Sequence, residues 1–131
     1  MGCPSCIYTV ITNATVAEGA TGPFGSVIRR YGRNLMLDGA GINLIGSGYY
    51  DVDASLSFTP TAAGPVTIQF YQDGTVVPGG LATTQGAAGE PVALPVAFTA
   101  RNCGCDCNTV LTYAIDAAGV IGNLSVRVEK A

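Results

Sequence analysis

The most regular alternation of hydrophobic and polar residues in the chain lies between residues 48 and 74. Successive side chains of a β-strand point to opposite faces, so a period of two predicts a strand with one buried face. Pro60 interrupts the pattern, which then resumes. The hydrophobic positions on the two sides of this interruption are Tyr50, Val52, Ala54, Leu56, Phe58, Val66, Ile68 and Phe70. The pattern predicts two antiparallel strands that share one hydrophobic face, which a second sheet must cover.

Turn-forming residues separate this unit from its neighbours. Asp73-Gly74 is a dipeptide that favours a tight hairpin turn, and Gly39-Ala40-Gly41 predicts a second hairpin. Pro78-Gly79-Gly80 is expected to end a short strand around Val76. Pro95 interrupts an otherwise regular alternation. Because proline cannot donate a ladder hydrogen bond, its strand should lie at a sheet edge or contain a bulge.

The remaining strands are predicted from clusters of β-branched and aromatic residues or from further alternation. They cover residues 7–12, 26–32, 34–38, 42–45, 81–84, 92–101, 111–115 and 124–128. No window has the spacing of an amphipathic helix. Strand signals at intervals of about ten residues indicate an all-β sandwich or barrel. We expect one domain over residues 1–131, with residues 1–6 as a cysteine-bearing N-terminal arm.

The surface positions of these strands are poor in charge. Charged residues make up 11% of the chain, whereas soluble domains carry about 25%. The outward positions are mostly Thr, Ser, Gln, Ala and Tyr, and the centres of subunit interfaces likewise lose charge and gain tyrosine. The composition therefore predicts a homo-oligomer, with Tyr49 and Tyr71 as candidate contact residues. A monomer with a threonine-rich surface is the alternative.

Charge and hydropathy also limit the partners. The net charge of −3 argues against nucleic acid. Arg29, Arg30 and Arg33 are too few for a phosphate track, so we expect them to be solvated or paired with acids of this chain or of a neighbour. No hydrophobic run approaches the roughly 18 residues of a membrane helix. The start of the sequence shows no basic region followed by an apolar one, so no secretory signal is predicted.

One long segment resembles a known family. The residues from Gly41 to Gly79, GINLIGSGYYDVDASLSFTPTAAGPVTIQFYQDGTVVPG, resemble the core of the C1q/TNF-like jelly-roll superfamily. In that family a glycine-led strand enters the sandwich, and the next strand ends at a short turn with a polar residue and glycine. The closing NLSVRVEKA resembles the last strand of the family, which returns to the middle of a sheet. The resemblance extends from Phe24 to Lys130.

The resemblance implies a two-sheet antiparallel jelly-roll sandwich of eight to ten strands with essentially no helix, assembled as a tight homotrimer. The chain is most similar to small stand-alone bacterial and phage members, which supply surface layers, fibre tips and capsid ornaments. Two features depart from the family. No collagen-like Gly-X-Y stalk precedes the domain in this sequence, and a cysteine loop replaces the acidic "GD" segment before the penultimate strand.

Enzymatic chemistry has few candidate residues. The chain contains no histidine, which excludes Ser-His-Asp and Cys-His catalysis and a histidine-ligated metal. Asp51 and Asp53 share the outward face of one predicted strand, where paired carboxylates can hold Ca²⁺ or act as acid and base. The alternative is that they keep an exposed strand soluble. We predict that the protein has no catalytic residues and no cofactor-binding residues.

The five cysteines form two groups. Cys3 and Cys6 make a C-x-x-C pair, and Cys103, Cys105 and Cys107 alternate in NCGCDCN. Residues two apart on an extended segment point the same way, so the three thiols of the loop can converge. Disulfides between arm and loop, a Zn²⁺ site of four thiolates and free thiols all stay open. The odd count leaves one thiol that can pair between chains.

The function predicted from these features is that of a non-enzymatic structural protein, a homotrimeric jelly roll that decorates a phage capsid or head fibre. Its partners are then its own copies and a virion protein such as the major capsid protein, and its place is the virion surface. The alternative is a binding module of a bacterial spore, cell surface or fibre tip that recognises a glycan or a protein receptor. A glycosidase using Asp51 and Asp53 is a third hypothesis.

Overall fold

The structure, a computed structural model, describes residues 5–39, 41–102 and 108–131, and these residues form strands, turns and loops without a helix. No described segment is therefore a helix long and apolar enough to span a membrane. The prediction of an all-β chain with eight to ten strands is confirmed. The strands are β1 (Cys6–Val16), β2 (Ser26–Tyr31), β3 (Leu35–Asp38), β4 (Gly41–Ile45), β5 (Gly48–Pro60), β6 (Gly64–Gln72), β7 (Thr75–Gly86), β8 (Val92–Asn102), β9 (Asn108–Ile115) and β10 (Gly119–Lys130).

The strands form two antiparallel five-stranded sheets. Sheet I has the order β2-β1-β10-β5-β8, and sheet II has the order β3-β4-β9-β6-β7. The last strand, β10, lies in the middle of sheet I between β1 and β5, as the resemblance implied. Strand β8 contains Pro95 and lies at an edge of sheet I, which confirms the position predicted from the missing amide hydrogen.

The prediction that β5 and β6 pair with each other is wrong. β5 belongs to sheet I and β6 to sheet II, and residues 61–63 cross from one sheet to the other. The alternation within each strand is as predicted. Each of the two strands has one hydrophobic face. When the strands lie in two stacked sheets, these hydrophobic faces bury each other, whereas two strands paired side by side would need a further layer to cover their common hydrophobic face.

Strand β7 continues through the Pro-Gly-Gly sequence that was expected to end it. Gln69 pairs with Leu81 and Tyr71 with Val76, so Phe70 lies opposite the four residues 77–80. Gly79 has a φ of 84°, a conformation that favours glycine. Residues 77–80 therefore form a bulge within one strand and do not terminate it.

The hairpin between β6 and β7 is as predicted. Asp73 and Gly74 have φ values of 51° and 80°. Positive φ at both central residues is the requirement of the two-residue hairpin turn that Asp-Gly favours. Strands β3 and β4 also pair as a hairpin, with Asp38 opposite Gly41.

The core lies between the sheets and consists of the inward-facing residues of both. The alternating positions predicted from the sequence are buried in β5, β6, β9 and β10, and in β8 from Leu94 to Ala100. All of these residues belong to one continuous hydrophobic cluster. The alternation along each strand thus separates the core face from the outer face of each sheet.

The loop between β1 and β2 packs against Tyr113. Its side chain is fully buried, and its ring packs edge-on against Phe24 with 5.0 Å between centroids and against Phe70 at 5.8 Å. The phenol donates a hydrogen bond to the carbonyl of Pro23. The Gly22 amide donates to the carbonyl of Tyr113 at 2.9 Å. A Cβ at Gly22 would lie 2.3 Å from the tyrosine ring, so the loop approaches as closely as only glycine permits.

Two buried phenols predict how stability depends on pH. Burial raises the pKa of Tyr113 above its ordinary value near 10, and burial also raises the pKa of Tyr50 against an opposing hydrogen bond from Asn34. In the unfolded chain both phenols lose their protons near pH 10. The unfolded state then binds fewer protons than the folded state, so the free energy of unfolding falls as the pH rises.

Above pH 10 we expect each phenol to lower the free energy of unfolding by up to about 1.4 kcal/mol per pH unit, as long as the pH stays below its pKa in the folded state. Below pH 9 neither phenol should contribute to the slope. Urea titrations between pH 8 and pH 11.5 measure this dependence. Tyr113→Phe should make the alkaline slope shallower, and an unchanged slope in that variant would contradict the assignment.

Candidate functional site

The outer face of sheet I is the surface on which most of the candidate residues lie. Strand pairing aligns its outward residues in rows that run from β2 across β1, β10 and β5 to β8. Three successive rows are Tyr31, Cys6, Glu129, Asp51 and Thr99; Arg29, Tyr8, Arg127, Asp53 and Ala97; and Ser26, Val10, Ser125, Ser55 and Pro95. Charged residues occupy the first two rows, and the third row is uncharged.

The charges near the middle of this face neutralise one another. Nη2 of Arg127 lies 2.8 Å from Oδ2 of Asp53, and its Nε lies 3.6 Å from Oε1 of Glu129. The hydroxyl of Thr99 donates to Oδ1 of Asp51 at 2.9 Å. These side chains are exposed, and exposed ion pairs contribute at most about 1 kcal/mol each. The pairs therefore affect the pattern of charge on the face more than they affect the stability of the fold.

Asp51 and Asp53 share one face of β5, as the sequence predicted. Each carboxylate has a partner on a neighbouring strand, and both lie on an open sheet surface beside Ala97 and Thr99. Acid–base catalysis needs a carboxyl group held against a substrate in a cleft that excludes water. The surroundings of these two residues have the character of a surface that another surface can cover.

The uncharged half of the face has short side chains. Ser55, Ser57, Ala93, Pro95 and Ser125 point outward from the three strands β5, β8 and β10. Because none of these side chains is long, a second protein surface can approach the sheet closely here. The low charge of this half and the tyrosines nearby are features of subunit interfaces.

The two tyrosines predicted as contact residues lie on opposite faces of the sandwich. Tyr49 is 55% exposed on the outer face of sheet I, beside the charged rows. Tyr71 is half-buried on the outer face of sheet II, where it lines a groove of about 240 Å³ with Thr67, Gln69 and Val76. A single flat contact cannot include both residues.

A cluster of buried polar groups closes one end of the sandwich around the turn between β4 and β5. We call it the polar end cluster, and its side chains are those of Ser5, Asn34, Tyr50, Gln72, Asn102 and Thr109. Asn102 is 2% exposed, and its amide donates to the carbonyls of Leu44 and Gly46, each at 2.8 Å. Its Oδ1 accepts from the hydroxyl of Thr109 and lies 3.0 Å from Nε2 of Gln72.

The same turn anchors the N-terminal segment. Ser5 is fully buried, and its hydroxyl donates to Oδ1 of Asn34 at 2.8 Å. The amide of Asn34 donates to the carbonyl of Ile45 at 2.6 Å. The phenol of Tyr50 lies 2.8 Å from the same carbonyl. Ser5 and Asn102, the described residues next to the two cysteine-bearing segments, are therefore held at the same end of the molecule.

Only one of the five cysteines, which were predicted as site residues, belongs to the described residues. Cys6 is half-buried on β1 and lines a groove of about 420 Å³ with Tyr8, Arg29, Arg127 and Glu129. Cys3, Cys103, Cys105 and Cys107 lie outside the described residues. Within the described part of the chain, no group of three or more cysteine and acidic side chains is placed to hold a metal ion. The metal and disulfide hypotheses therefore stay predictions.

Two features of the surface were not predicted from the sequence. Every residue of β2 is exposed, including Ile28 and Tyr31, although the segment was predicted only as a short strand. Arg127 pairs with Asp53 of the neighbouring strand β5, which lies 74 positions away along the chain. The only sequence signal that places Arg127 on this face is its polar position between the hydrophobic residues Val126 and Val128. Its partner depends on a register that alternation does not specify.

Comparison with known proteins identifies the fold. No protein-family model matches the chain, and no curated protein sequence matches it. Murine APRIL at pH 5.0 superposes with a TM-score of 0.74 at 11% identity, over 95% of this chain and 98% of that one. The vertex protein P5 of PRD1 superposes with a TM-score of 0.67 at 14% identity, over 99% of both chains.

The globular domain of the zebrafish complement 1qA protein gives a TM-score of 0.65 at 6% identity, over 94% of this chain and 93% of that one. All three structures are TNF/C1q-like jelly rolls. The fold of this chain is therefore a TNF/C1q-like jelly-roll sandwich, as the resemblance in the sequence implied.

Proposed function

We propose that the protein is a non-enzymatic structural module that assembles as a homotrimer and decorates a phage capsid or head fibre. The observation that carries the proposal is the outer face of sheet I, which is lined by small neutral side chains in one half and by mutually paired charges in the other. Such a surface lacks the enclosed cleft that catalysis requires, and low charge is a feature of the centres of subunit interfaces.

The likeness to a vertex protein supports the particle part of the proposal. The fold of P5 from PRD1 matches this chain over 99% of both lengths, so the two domains are of similar size. A compact sandwich without an enclosed binding pocket among the described residues is suited to a repeated structural role.

Co-purification with particles tests this function. Particles are purified from the producing cells by density and washed in 1 M salt, which shortens the electrostatic screening length to roughly 3 Å and so removes proteins that are held only by charge. The washed particles are analysed by quantitative mass spectrometry. A fixed ratio of this chain to the major capsid protein across preparations supports decoration. Complete loss of the chain on washing, while the capsid protein stays, contradicts it.

A binding module is the second candidate, and the groove on the outer face of sheet II favours it. Tyr71, Gln69 and Thr67 present an aromatic ring, an amide and a hydroxyl on a face without basic residues. These groups suit a neutral glycan or a polar peptide. A glycan array tests this, with Tyr71→Ala as the matched variant. Specific binding that this variant loses would favour the receptor-binding function over decoration.

The cysteines are proposed to link protomers or to anchor the trimer to its support. The support for this is the common position of Ser5 and Asn102 at one end of the sandwich. Native mass spectrometry with reductant, with chelator and without either distinguishes the three states. Disulfide links between chains are lost with reductant, and bound zinc is lost with chelator as a mass decrease of one ion. A mass that neither reagent changes contradicts both kinds of link.

A further inference from the structure

The edge strand β2 carries a strip that is both hydrophobic and basic. We define the β2 strip as Tyr8, Arg29 and Tyr31. Tyr31 is 65% exposed and Tyr8 36%, and Arg29 pairs across the strands with Tyr8 on the outer face of sheet I. An exposed edge strand with large apolar side chains is a surface that proteins normally cover.

The opposite edge of the same face has the complementary character. We define the β5–β8 patch as Asp51, Asp53, Ala97 and Thr99. Ala97 and Thr99 are small and exposed, and Asp51 and Asp53 are the carboxylates beside them. Asp51 accepts a hydrogen bond from Thr99, an uncharged partner, so its negative charge is not neutralised by that contact. Because Asp53 is paired with Arg127, Asp51 is the carboxylate of this shallow patch that a basic edge of another molecule can meet.

Arg29 of the strip and Asp51 of the patch lie apart within one molecule. Sheet I has the order β2-β1-β10-β5-β8, so three strand spacings of about 4.8 Å separate β2 from β5. Among the described residues, none covers the large side chains of the strip. Three of the six basic residues of the chain are Arg29, Arg30 and Arg33, which leaves three basic residues against nine acidic ones elsewhere. A second copy of the chain therefore offers the acidic surface that the strip requires.

We infer that the β2 strip of one protomer seats on the β5–β8 patch of the next, with Arg29 opposite Asp51. This contact joins two different surfaces of the protomer. Because each strip seats on the patch of the next copy and not on that of a reciprocal partner, the contact is heterologous, and a rotation that closes after three copies gives the ring proposed above. The inference rests on that proposed trimer and names the surfaces that build it.

Charge reversal at the two residues tests the contact. Arg29→Glu and Asp51→Arg each place like charges against each other, which should raise the trimer dissociation constant about 100-fold. The double variant restores opposite charges and should recover most of the wild-type affinity. Sedimentation velocity over a concentration series measures the three variants beside the wild type. Far-ultraviolet circular dichroism and the unfolding midpoint of each variant verify that it folds, and both residues are on the surface.

Matched controls change charge away from the contact. Arg33→Glu reverses a neighbouring charge outside the strip, and Glu90→Arg reverses an acid in an exposed turn. Both should stay trimeric. Weakening by each single variant with recovery in the double variant supports the contact. A wild-type trimer that neither single variant weakens overturns this contact and leaves the trimer standing, whereas a monomeric wild type overturns the trimer itself. Single variants that weaken the trimer without recovery in the double variant also overturn the pairing of Arg29 with Asp51.

Discussion

Tyr113→Ala is expected to lower the free energy of unfolding by about 3–5 kcal/mol. The ring is fully buried at the point where sheet II, the loop between β1 and β2, and the centre of the core meet. Its removal takes the aromatic neighbour Tyr113 from Phe24, leaves Phe70 with Phe98 alone, and opens a cavity that the rigid sheets cannot collapse to fill. Since the whole fold is stabilised by about 5–15 kcal/mol, this single change should bring the protein close to unfolding at 37 °C.

Tyr113→Phe separates the ring from its hydroxyl. It keeps the packing and removes only the hydrogen bond to the carbonyl of Pro23, so the expected loss is about 1 kcal/mol. Urea denaturation at one fixed protein concentration measures both variants, because the stability of an oligomer depends on concentration. Equal losses in the two variants would mean that the hydrogen bond, and not the ring, is the main contribution of Tyr113.

Asn102→Ala is expected to cost about 2–4 kcal/mol, the second large effect. The amide of Asn102 satisfies the carbonyls of Leu44 and Gly46, and its Oδ1 satisfies Thr109 and Gln72. Alanine removes these hydrogen bonds at a buried site. The carbonyl of Leu44 loses its side-chain donor, whereas the carbonyl of Gly46 keeps the phenol of Tyr50, and Gln72 and Thr109 keep each other. Asn102 is the last residue of β8 and directly precedes residues 103–107. Its replacement should therefore also weaken the anchoring of that segment to the sandwich.

Asn123→Ala is the matched control for this prediction. It makes the same chemical change at an exposed position of β10 and should alter the free energy of unfolding by less than about 0.5 kcal/mol. Thermal unfolding followed by circular dichroism compares the two variants. If Asn102→Ala were no more destabilising than Asn123→Ala, the polar end cluster would have no structural role of the kind described.

Much of the fold is predictable from the sequence because alternation specifies which face of each strand is buried. The inward residues of β5, β6, β9 and β10 follow directly from the period of two. Pro95 indicates an edge, and Asp73-Gly74 indicates a hairpin, since each residue type restricts the backbone in one known way. Alternation does not specify which strands pair. The incorrect pairing of β5 with β6 arose there, since two amphipathic strands can lie side by side or face to face.

The candidate site is less predictable for a similar reason. Asp51, Asp53 and Tyr49 were placed correctly on an outward face, but their neighbours Arg127 and Thr99 come from strands remote in sequence. The polar end cluster was missed because Asn and Ser in loops are usually solvent-exposed, and only the fold buries Asn102 and Ser5. The continuation of β7 through residues 77–80 was missed because a bulge and a strand end have the same sequence signature.

The assembly of identical chains through the outer face of sheet I is the central claim, and the mass of the wild-type protein in solution tests it most directly. Sedimentation equilibrium at several concentrations, with reductant present throughout, separates association through surfaces from covalent links. We predict three chain masses down to micromolar concentration. A single chain mass over the same concentration range would contradict the trimer and, with it, the role of this face as a subunit interface.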